Sequence, residues 1–409
     1  MTTTPASDRP STADQDHWLT PGVRGIGSAS FLADVGHEIP TALLPSLLTS
    51  TLGAPAAALG AIEGVSDALA GAARFGGGVL ADDPARRRKV AVGGYTTTAV
   101  LGAATAAATS VWQVGVLRAA AWTARGLRVP ARNALLADIV PASAYGRAYG
   151  FERMMDNLGA IFGPLLALGL VAWLGVRWAI GLSVIPGLLA AVAIVYAIRH
   201  TPKPTDRDKV PLRIRVRPVL GGELGRLTGA IAAFEVGNVA ATLLILRATE
   251  LLTPGHGTKT ATTIALGLYT AYNIAATVAS VPAGRLADRL GGRGPLLVLA
   301  AGAAAFAVSY GLFAVTDTAV AVLVVPFVLA GVGIGAVETA QHSAVAALAP
   351  KDLRGSAFGL LATVQSLGNL AASAIAGILW TALSPAAAFT YLAAWMLLAL
   401  AGFALTLRR

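Results

Sequence analysis

Two pairs of carboxylates stand four residues apart early in this 409-residue chain, Asp34 with Glu38 and Glu63 with Asp67. Residues at that spacing share one face of a helix. Two carboxylates on one face repel each other when both are ionised, and burial adds a desolvation cost, so at least one of them is suited to taking up and releasing a proton. We predict a proton-exchange function for Asp34, His37, Glu38, Asp67 and, later in the chain, Glu235.

The same acids have a second interpretation, in which they neutralise a row of arginines. Arg118, Arg125, Arg128 and Arg132 fall on one broad face of a predicted helix. A buried charge is tolerated when it is paired and is costly when it is not. Asp34 or Asp67 could therefore serve as a counter-charge, and the sequence leaves both interpretations open.

The elements that must position these residues are long and apolar. Apolar residues make up 55% of the chain, charged residues make up 13%, and the mean hydropathy is +0.67. These values are typical of a membrane protein. With about 20 apolar residues needed for each crossing, we predict an all-α membrane protein with twelve transmembrane helices. These spans 1–12 cover residues 23–50, 56–81, 90–110, 112–136, 148–173, 177–198, 224–248, 261–284, 295–316, 319–347, 356–382 and 386–407.

The distribution of lysine and arginine predicts the topology. The basic clusters at 86–89, 199–222 and 285–293 all fall on one side of the predicted spans. By the positive-inside rule that side is the cytoplasm, and both termini lie there. The polar first twenty residues do not form a cleavable signal peptide. We therefore expect a multi-pass protein of the bacterial plasma membrane. Its parts are a polar tail (1–22), a six-helix half (23–198), a basic linker (199–222) and a second six-helix half (223–409).

A short charged motif occurs twice in the chain. Gly-x-Leu-Ala-Asp begins at Gly78 after span 2 and again at Gly284 after span 8. Asp34 in span 1 and Glu235 in span 7 also occupy equivalent positions of the repeat. Repetition at half the chain length predicts two pseudo-symmetric halves, with the substrate site between them near the membrane midplane.

The paired motifs resemble the major facilitator superfamily, and the resemblance covers essentially the whole chain. Gly150, Gly159 and Gly163-Pro164 in span 5 are similar to a pattern of its antiporter branch, and Arg118 stands where drug-exporting relatives keep an arginine. The resemblance implies twelve helices, alternating access and membership of the proton-coupled drug-efflux branch.

The repeated motif has a physical interpretation as a gate. Gly78 and Gly284 permit close approach of two backbones. Asp82 and Asp288 can complement the positive N-terminal ends of spans 11 and 5, which begin on the same side. Such contacts would hold the cytoplasmic side closed. The predicted gating residues are Gly78, Asp82, Arg86, Gly163, Pro164, Gly284, Asp288 and Arg289.

Other functional classes lack their signatures. The sequence has no P-loop, no Gly-x-Ser-x-Gly element, no His-Glu-x-x-His pair and no cysteine, so it predicts neither an enzyme nor an ATP-driven pump. We expect a monomeric, cofactor-free secondary transporter that uses protons to export amphipathic, cationic small molecules and does not bind nucleic acid. Predicted substrate contacts are Glu63, Arg118, Arg125, Asp156, Phe234, Asn238, Tyr269, Tyr272, Asn273 and Gln365.

The sequence leaves three interpretations of the substrate's charge open. An excess of acids beside aromatic walls would suit a lipophilic cation. Arg118 and Arg125 could instead clamp an anionic metabolite. Asp34, His37 and Glu38 could also ligate a divalent metal ion as cargo.

Overall fold

The computed structural model describes residues 18–201, 216–315 and 320–407, and the regular secondary structure in those ranges is helical. Residues 18–201 are called the N-terminal part and residues 216–407 the C-terminal part. The N-terminal part contains α1 (Pro21–Ser46), α2 (Ala56–Ala81), α3 (Pro84–Ala104), α4 (Val111–Ile139), α5 (Tyr145–Leu174), α6 (Val176–Leu182) and α7 (Val184–Arg199). The C-terminal part contains α8 (Val216–Val219), α9 (Gly222–Glu235), α10 (Ala241–His256), α11 (Thr258–Arg289), α12 (Gly294–Val315), α13 (Val320–Leu348), α14 (Arg354–Ala382) and α15 (Pro385–Leu407).

Local sequence signals explain where two of these helices begin. The Thr20 side chain accepts a hydrogen bond from the Val23 N–H at 3.4 Å, and a proline follows it at the first helical position. Asp83 caps α3 in the same way, accepting from the Ala85 N–H at 2.8 Å, again with a proline next. A capping side chain and a first-turn proline satisfy or remove N–H groups that would otherwise lack partners.

Two of the predicted spans are broken helices. Span 6 consists of α6 and α7, which meet at Ser183, and span 7 consists of α9 and α10, which are separated by residues 236–240. Glu235 is the last residue of α9, so this predicted proton-exchange residue lies directly before an irregular segment. The sequence predicts both spans as continuous, because their apolar character does not change at the breaks.

Eight helical segments of the described ranges are long and apolar enough to cross a membrane. The helices outside this group include α1, α2 and α4, which carry the carboxylate pairs and the row of arginines. Ionisable groups lower the apolar character of the very helices on which function is expected. The count of twelve spans therefore stays a prediction.

Contacts between helices bring the two parts of the chain together. α1 packs against α5 and α7, α2 packs against α4, and α11 and α12 both pack against α13. The N-terminal and C-terminal parts meet mainly where α2 lies against α14 and α5 lies against α11. The repeated motif stands at the ends of α2 and α11, and its residues therefore lie at these two contacts.

Candidate functional site

Two carboxylates join the N-terminal and C-terminal parts at one end of the bundle. Asp82 follows α2 and accepts a hydrogen bond from the backbone N–H of Ser356 at 2.8 Å and another from its hydroxyl. Asp288 near the end of α11 accepts from the N–H groups of Gly146 and Arg147 at 2.7 and 2.9 Å. Ser356 and Gly146 lie in the first turns of α14 and α5, where a negative charge is favoured. We call this end, with Asp82 and Asp288, the motif end.

Glycines allow the backbones to approach closely at the same contacts. A Cβ on Gly78 would lie 2.8 Å from the Gly359 Cα, and a Cβ on Gly284 would lie 3.1 Å from the Arg147 nitrogen. Both distances are shorter than normal packing permits. The two copies of the motif thus combine close approach with a carboxylate contact, and the motif end is closed.

A third contact at the motif end involves Asp138, which the sequence analysis did not identify. Asp138 at the end of α4 forms ion pairs with Arg87 of the N-terminal part and, at 3.2 Å, with Arg354 of the C-terminal part. Arg354 also donates a hydrogen bond to the Tyr145 hydroxyl at 2.6 Å. The sequence signal for this contact is that Asp138 is the single acid of the arginine-rich helix α4 and lies at its end.

Burial and most of the neighbouring groups act in opposite directions on the pKa of the Asp82 carboxyl. Burial raises the pKa of the Asp82 carboxyl above its ordinary value, while the hydrogen bonds from Ser356 and the charge of Arg87 act in the opposite direction. The direction of the shift means that the closed motif end tolerates a protonated Asp82 better than bulk water does.

The remaining predicted gating residues do not join the two parts of the chain in this conformation. Arg86 pairs with Asp83 of its own loop at 3.5 Å, and Arg289 is exposed at the end of α11. Gly163 packs against the Glu38 side chain on α1, and Pro164 stands beside it inside α5. Their role in gating stays a prediction.

A cavity of about 780 Å³ lies between the N-terminal and C-terminal parts. It is lined by residues of α1, α2, α4 and α5 on one side and by residues of α9, the segment after it, α13 and α14 on the other. Its charged lining consists of the acids Asp34, Asp67, Asp156, Glu235 and Glu338 and of Arg74, Arg125, Arg128, Arg132 and Arg153. Acids and arginines are equal in number in this lining, so it does not show the excess of acids that was considered for a cationic cargo.

The cavity brings together about half of the residues predicted from sequence. Predicted residues that line it are Asp34, Asp67, Arg125, Asp156, Glu235, Asn238 and Gln365. Predicted residues outside its lining are His37, Glu38, Glu63, Arg118, Phe234, Tyr269, Tyr272 and Asn273. Several residues of the second group make contacts within one part of the chain.

Arg118 illustrates such a contact. Its guanidinium pairs with Glu63 at 2.9 Å, donates to the Thr41 hydroxyl at 3.0 Å and lies 3.3 Å from the centre of the Trp122 ring. Trp122 in turn donates to Asp67 at 3.0 Å. Arg118 and Glu63 thus neutralise each other, whereas Asp67 reaches the cavity with a neutral partner.

The predicted aromatic wall is also absent from the cavity lining. Phe234 is fully buried against Phe306, with 5.6 Å between ring centres. Tyr269 and Tyr272 stack on each other along α11, 5.6 Å apart. The helical phase of α9 turns Phe234 into the core while its neighbour Glu235 lines the cavity, a difference that one residue of helix rotation produces.

His37 separates the two acids of α1. Its Nδ1 lies 3.2 Å from Asp34 and its Nε2 lies 3.2 Å from Glu38, so the two carboxylates stand on opposite sides of the ring. The three side chains therefore do not converge on one point, as ligands of a single metal ion must. In the described ranges no group of three or more histidine, aspartate or glutamate side chains is arranged to hold a metal ion.

Glu235 is a buried carboxyl with neutral partners. It is 3% exposed, and it accepts hydrogen bonds from Asn238 at 3.0 Å and from Gln341 at 2.8 Å. Gln365 of the cavity lining donates to Gln341 at 2.7 Å, so a chain of amides also links this carboxyl, which itself lines the cavity, to the cavity wall on α14. Within the described residues Glu235 has no ion pair. An ionised carboxylate without a cationic partner is costly in such a place.

A buried ion network at the cavity lining includes Glu152, which is not among the residues predicted from the sequence. Glu152 is 1% exposed and pairs with Arg132 at 2.9 Å and with Arg153 at 2.7 Å. Both arginines also contact Asp156, at 3.3 and 3.2 Å, and Arg153 reaches Glu338 on α13 at 3.7 Å. Asp156, predicted to bind substrate, is thus mainly a member of this network.

Comparisons with known proteins agree with the fold and with the family that the sequence resembles. A family model described as the Major Facilitator Superfamily matches residues 26–372 and 227–409. An uncharacterised MFS-type transporter of Methanocaldococcus jannaschii is 28% identical over 380 residues, which cover 92% of this chain and 93% of that protein.

Solved structures resemble the chain at the level of the fold. The Escherichia coli fucose:proton symporter has a TM-score of 0.73 at 15% identity, covering 94% of this chain and 98% of its own. A bacterial homologue of the iron transporter ferroportin, in an outward-facing state, has a TM-score of 0.72 at 15% identity, covering 95% and 100%.

Proposed function

This chain belongs to the Major Facilitator Superfamily, and we propose that it is a proton-coupled secondary transporter of a bacterial plasma membrane. In this proposal it exports small amphipathic molecules by alternating access, in exchange for protons. The observation that carries the proposal is the charged cavity between the two parts of the chain, which is closed at the motif end. A site between two bundles that is sealed at one side is what alternating access requires.

The closed motif end supports a direction for the opening. The positive-inside rule predicts that the motif end lies on the cytoplasmic side. The cavity would then face away from the cytoplasm in this conformation, and breaking the Asp82 and Asp288 contacts would expose it to the inside. The glycine pattern of span 5 supports exchange of the cargo for protons, because it resembles the antiporter branch.

We assign proton coupling to Glu235 and to the group formed by Asp34, His37 and Glu38. Glu235 has neutral hydrogen-bond partners and an amide path to the cavity. Asp34 lines the cavity as well, but it lies beside His37 at 3.2 Å and beside Arg125 at 3.8 Å. Protonation of Glu235 removes an unpaired buried charge, whereas protonation of Asp34 leaves Arg125 without its nearest counter-charge. Glu235 is therefore the first residue to test.

The charge of the cargo has support on both sides. Asp67 is exposed toward the cavity and accepts its hydrogen bond from the neutral Trp122 ring N–H, which favours a cationic cargo. Arg74 and Arg128 line the cavity without a carboxylate partner among the described residues, which favours an anionic cargo. The observation on the arginines involves two charges, and Arg128 is buried, whereas Asp67 is a single exposed charge. It is therefore the stronger of the two observations.

The test is gradient-driven transport by the purified protein in proteoliposomes with an acidic interior. We expect accumulation of a naphthalene probe, either naphthalene-2-sulfonate or 2-naphthylmethylammonium, and loss of that accumulation when a protonophore collapses the gradient. Glu235→Gln should abolish accumulation while retaining exchange of labelled for unlabelled probe. Glu250→Gln, an exposed glutamate of the same part of the chain, is the matched control. Accumulation that ignores the gradient would contradict proton coupling.

A further inference from the structure

Arg128 is a buried cation that forms no ion pair with any residue the structure describes. It is 3% exposed and it lines the cavity. Its guanidinium lies 4.2 Å from the centre of the Tyr95 ring, and its Nε atom has no hydrogen-bond partner. Within the described ranges Arg128 forms neither an ion pair nor a hydrogen bond. An aromatic face offsets part of the cost of burying this charge, but it does not replace a hydrogen-bond acceptor for the guanidinium.

Arg74 on α2 is a second cation of the same cavity lining and belongs to the same part of the chain as Arg128. It extends from α2 to α14, where it donates to the Ser366 hydroxyl and to the Ala362 carbonyl. Its Nε atom is also buried without a partner, and no carboxylate pairs with it among the residues that the structure describes. Arg74 therefore connects the two parts of the chain through neutral acceptors only.

Arg125 lies near enough to Arg74 and Arg128 for its charge to act unfavourably on both. Asp34 is the nearest carboxylate of Arg125, at 3.8 Å, and it is shared with His37. Of these three guanidinium groups, only that of Arg125 has a carboxylate within ion-pair distance among the described residues, although Asp67 also lines the cavity. Mutual repulsion of buried cations is unfavourable until an anion enters.

We infer that Arg74, Arg125 and Arg128 form a subsite for the anionic group of an organic substrate, a carboxylate, sulfonate or phosphate. The inference rests on the proposed function, because it takes the cavity as the cargo site. Guanidinium groups bind such oxyanions through paired, charge-assisted hydrogen bonds. An anion held by Arg74 and Arg128 would contact both α2 and α4. Because α2 packs on α14, binding of the anion would act on the contact between the two parts of the chain.

The test is equilibrium binding to the full-length protein in nanodiscs, measured by calorimetry with three probes of one shape. These are naphthalene-2-sulfonate, its neutral sulfonamide and 2-naphthylmethylammonium. We expect the wild type to bind the sulfonate at least tenfold more tightly than either of the others. Arg128→Gln and Arg74→Gln should each weaken sulfonate binding by about 10- to 100-fold, the range expected for loss of one charge-assisted hydrogen bond.

Two further variants keep the result interpretable. Arg128→Lys retains the charge and should lose less affinity than Arg128→Gln. Arg177→Gln removes an arginine that donates to the Ala106 and Ala108 carbonyls away from the cavity, and should bind the sulfonate like the wild type. Wild-type sulfonate affinity in properly folded Arg128→Gln and Arg74→Gln overturns the inference, as does a preference of the wild type for the ammonium probe.

Failure of this inference and failure of the proposed function give different results. Binding is measured here without a proton gradient. Loss of sulfonate binding in the arginine variants, together with gradient-independent transport by the wild type, would retain the subsite and remove proton coupling. Gradient-driven transport of the ammonium probe alone would retain the proposed function and remove the subsite.

Discussion

The Asp82 carboxylate accepts a hydrogen bond from the backbone N–H of Ser356 at 2.8 Å, although the two residues are 274 positions apart in the chain. This contact joins the end of α2 to the first turn of α14. Its counterpart joins Asp288 to the first turn of α5. A repeated sequence motif thus produces two equivalent contacts between the two parts of the chain. The first two predictions concern this relationship.

Removing the acceptor at Asp82 should open the motif end. Asp82→Ala leaves the Ser356 N–H and hydroxyl without their shared partner, whereas Asp82→Asn retains one side-chain oxygen. We expect a longer distance at this end in Asp82→Ala than in Asp82→Asn. The measurement is the distance between spin labels on Ala85→Cys and Lys351→Cys, both exposed positions in a chain without native cysteine.

The matched control for this experiment is Asp83→Asn. Asp83 is adjacent to Asp82, but it accepts from Ala85 and Arg86 of its own loop. Asparagine caps helices about as well as aspartate, so the label distance should not change. Equal distances in Asp82→Ala and in the wild type would count against a gating role for Asp82.

Acidification should favour the closed motif end. Burial raises the pKa of the Asp82 carboxyl, with a smaller contribution in the same direction from the charge of Asp352. In an opened state the carboxyl would be hydrated and would regain its ordinary pKa. The closed state then binds the proton more tightly, so its stability relative to the open state rises as the pH falls through the raised pKa. The same label pair, measured between pH 8 and pH 5, should shift toward the short distance, and Asp82→Asn should remove the pH dependence that arises from this group.

The motif glycine Gly284 and the nearby Gly292 should differ sharply in their tolerance of a methyl group. A Cβ on Gly284 would overlap the backbone of Gly146, whereas a Cβ on Gly292, which follows the motif, would meet nothing within 4 Å. Overpacking of this kind costs about 1–3 kcal/mol. Gly284→Ala should therefore lower the midpoint of thermal unfolding or open the motif end, while Gly292→Ala should leave both unchanged. Identical behaviour of the two variants would show that close approach at Gly284 is not required.

The sequence predicted the relationships that depend on short patterns. The glycine and aspartate of each motif copy occupy adjoining turns of one helix, so their joint contact with a neighbouring helix follows from local spacing. The cavity could not be predicted to the same depth. Arg118 pairs with Glu63 and lies over the Trp122 ring, and Phe234 packs in the core. Both outcomes arise because tertiary packing decides which face of a helix meets its neighbours.

Glu152 illustrates a different limit of the sequence. It stands beside Arg153 near the beginning of α5, where adjacent opposite charges suggest an ordinary solvated helix end. Only the packing of α1 and α4 around this turn buries the pair and brings Arg132 and Ser30 into contact with Glu152. Those contacts cross more than a hundred residues of sequence in one case, and no local pattern reports them.

Loss of the Glu152 carboxylate should destabilise the protein more than loss of the Asp156 carboxylate. Glu152 is 1% exposed and is held by Arg132, Arg153 and Ser30 within 3.0 Å. Glu152→Gln leaves two buried arginines short of a counter-charge, and removing one partner of a buried ion pair costs about 3–5 kcal/mol. Asp156 has longer contacts of 3.3 and 3.2 Å and a side chain that is 19% exposed, so Asp156→Asn should cost less. Thermal unfolding of both variants in the same detergent is the measurement. If the midpoint of thermal unfolding falls less in Glu152→Gln than in Asp156→Asn, the arginines have found other acceptors. The ion network at the cavity lining is then not organised around Glu152.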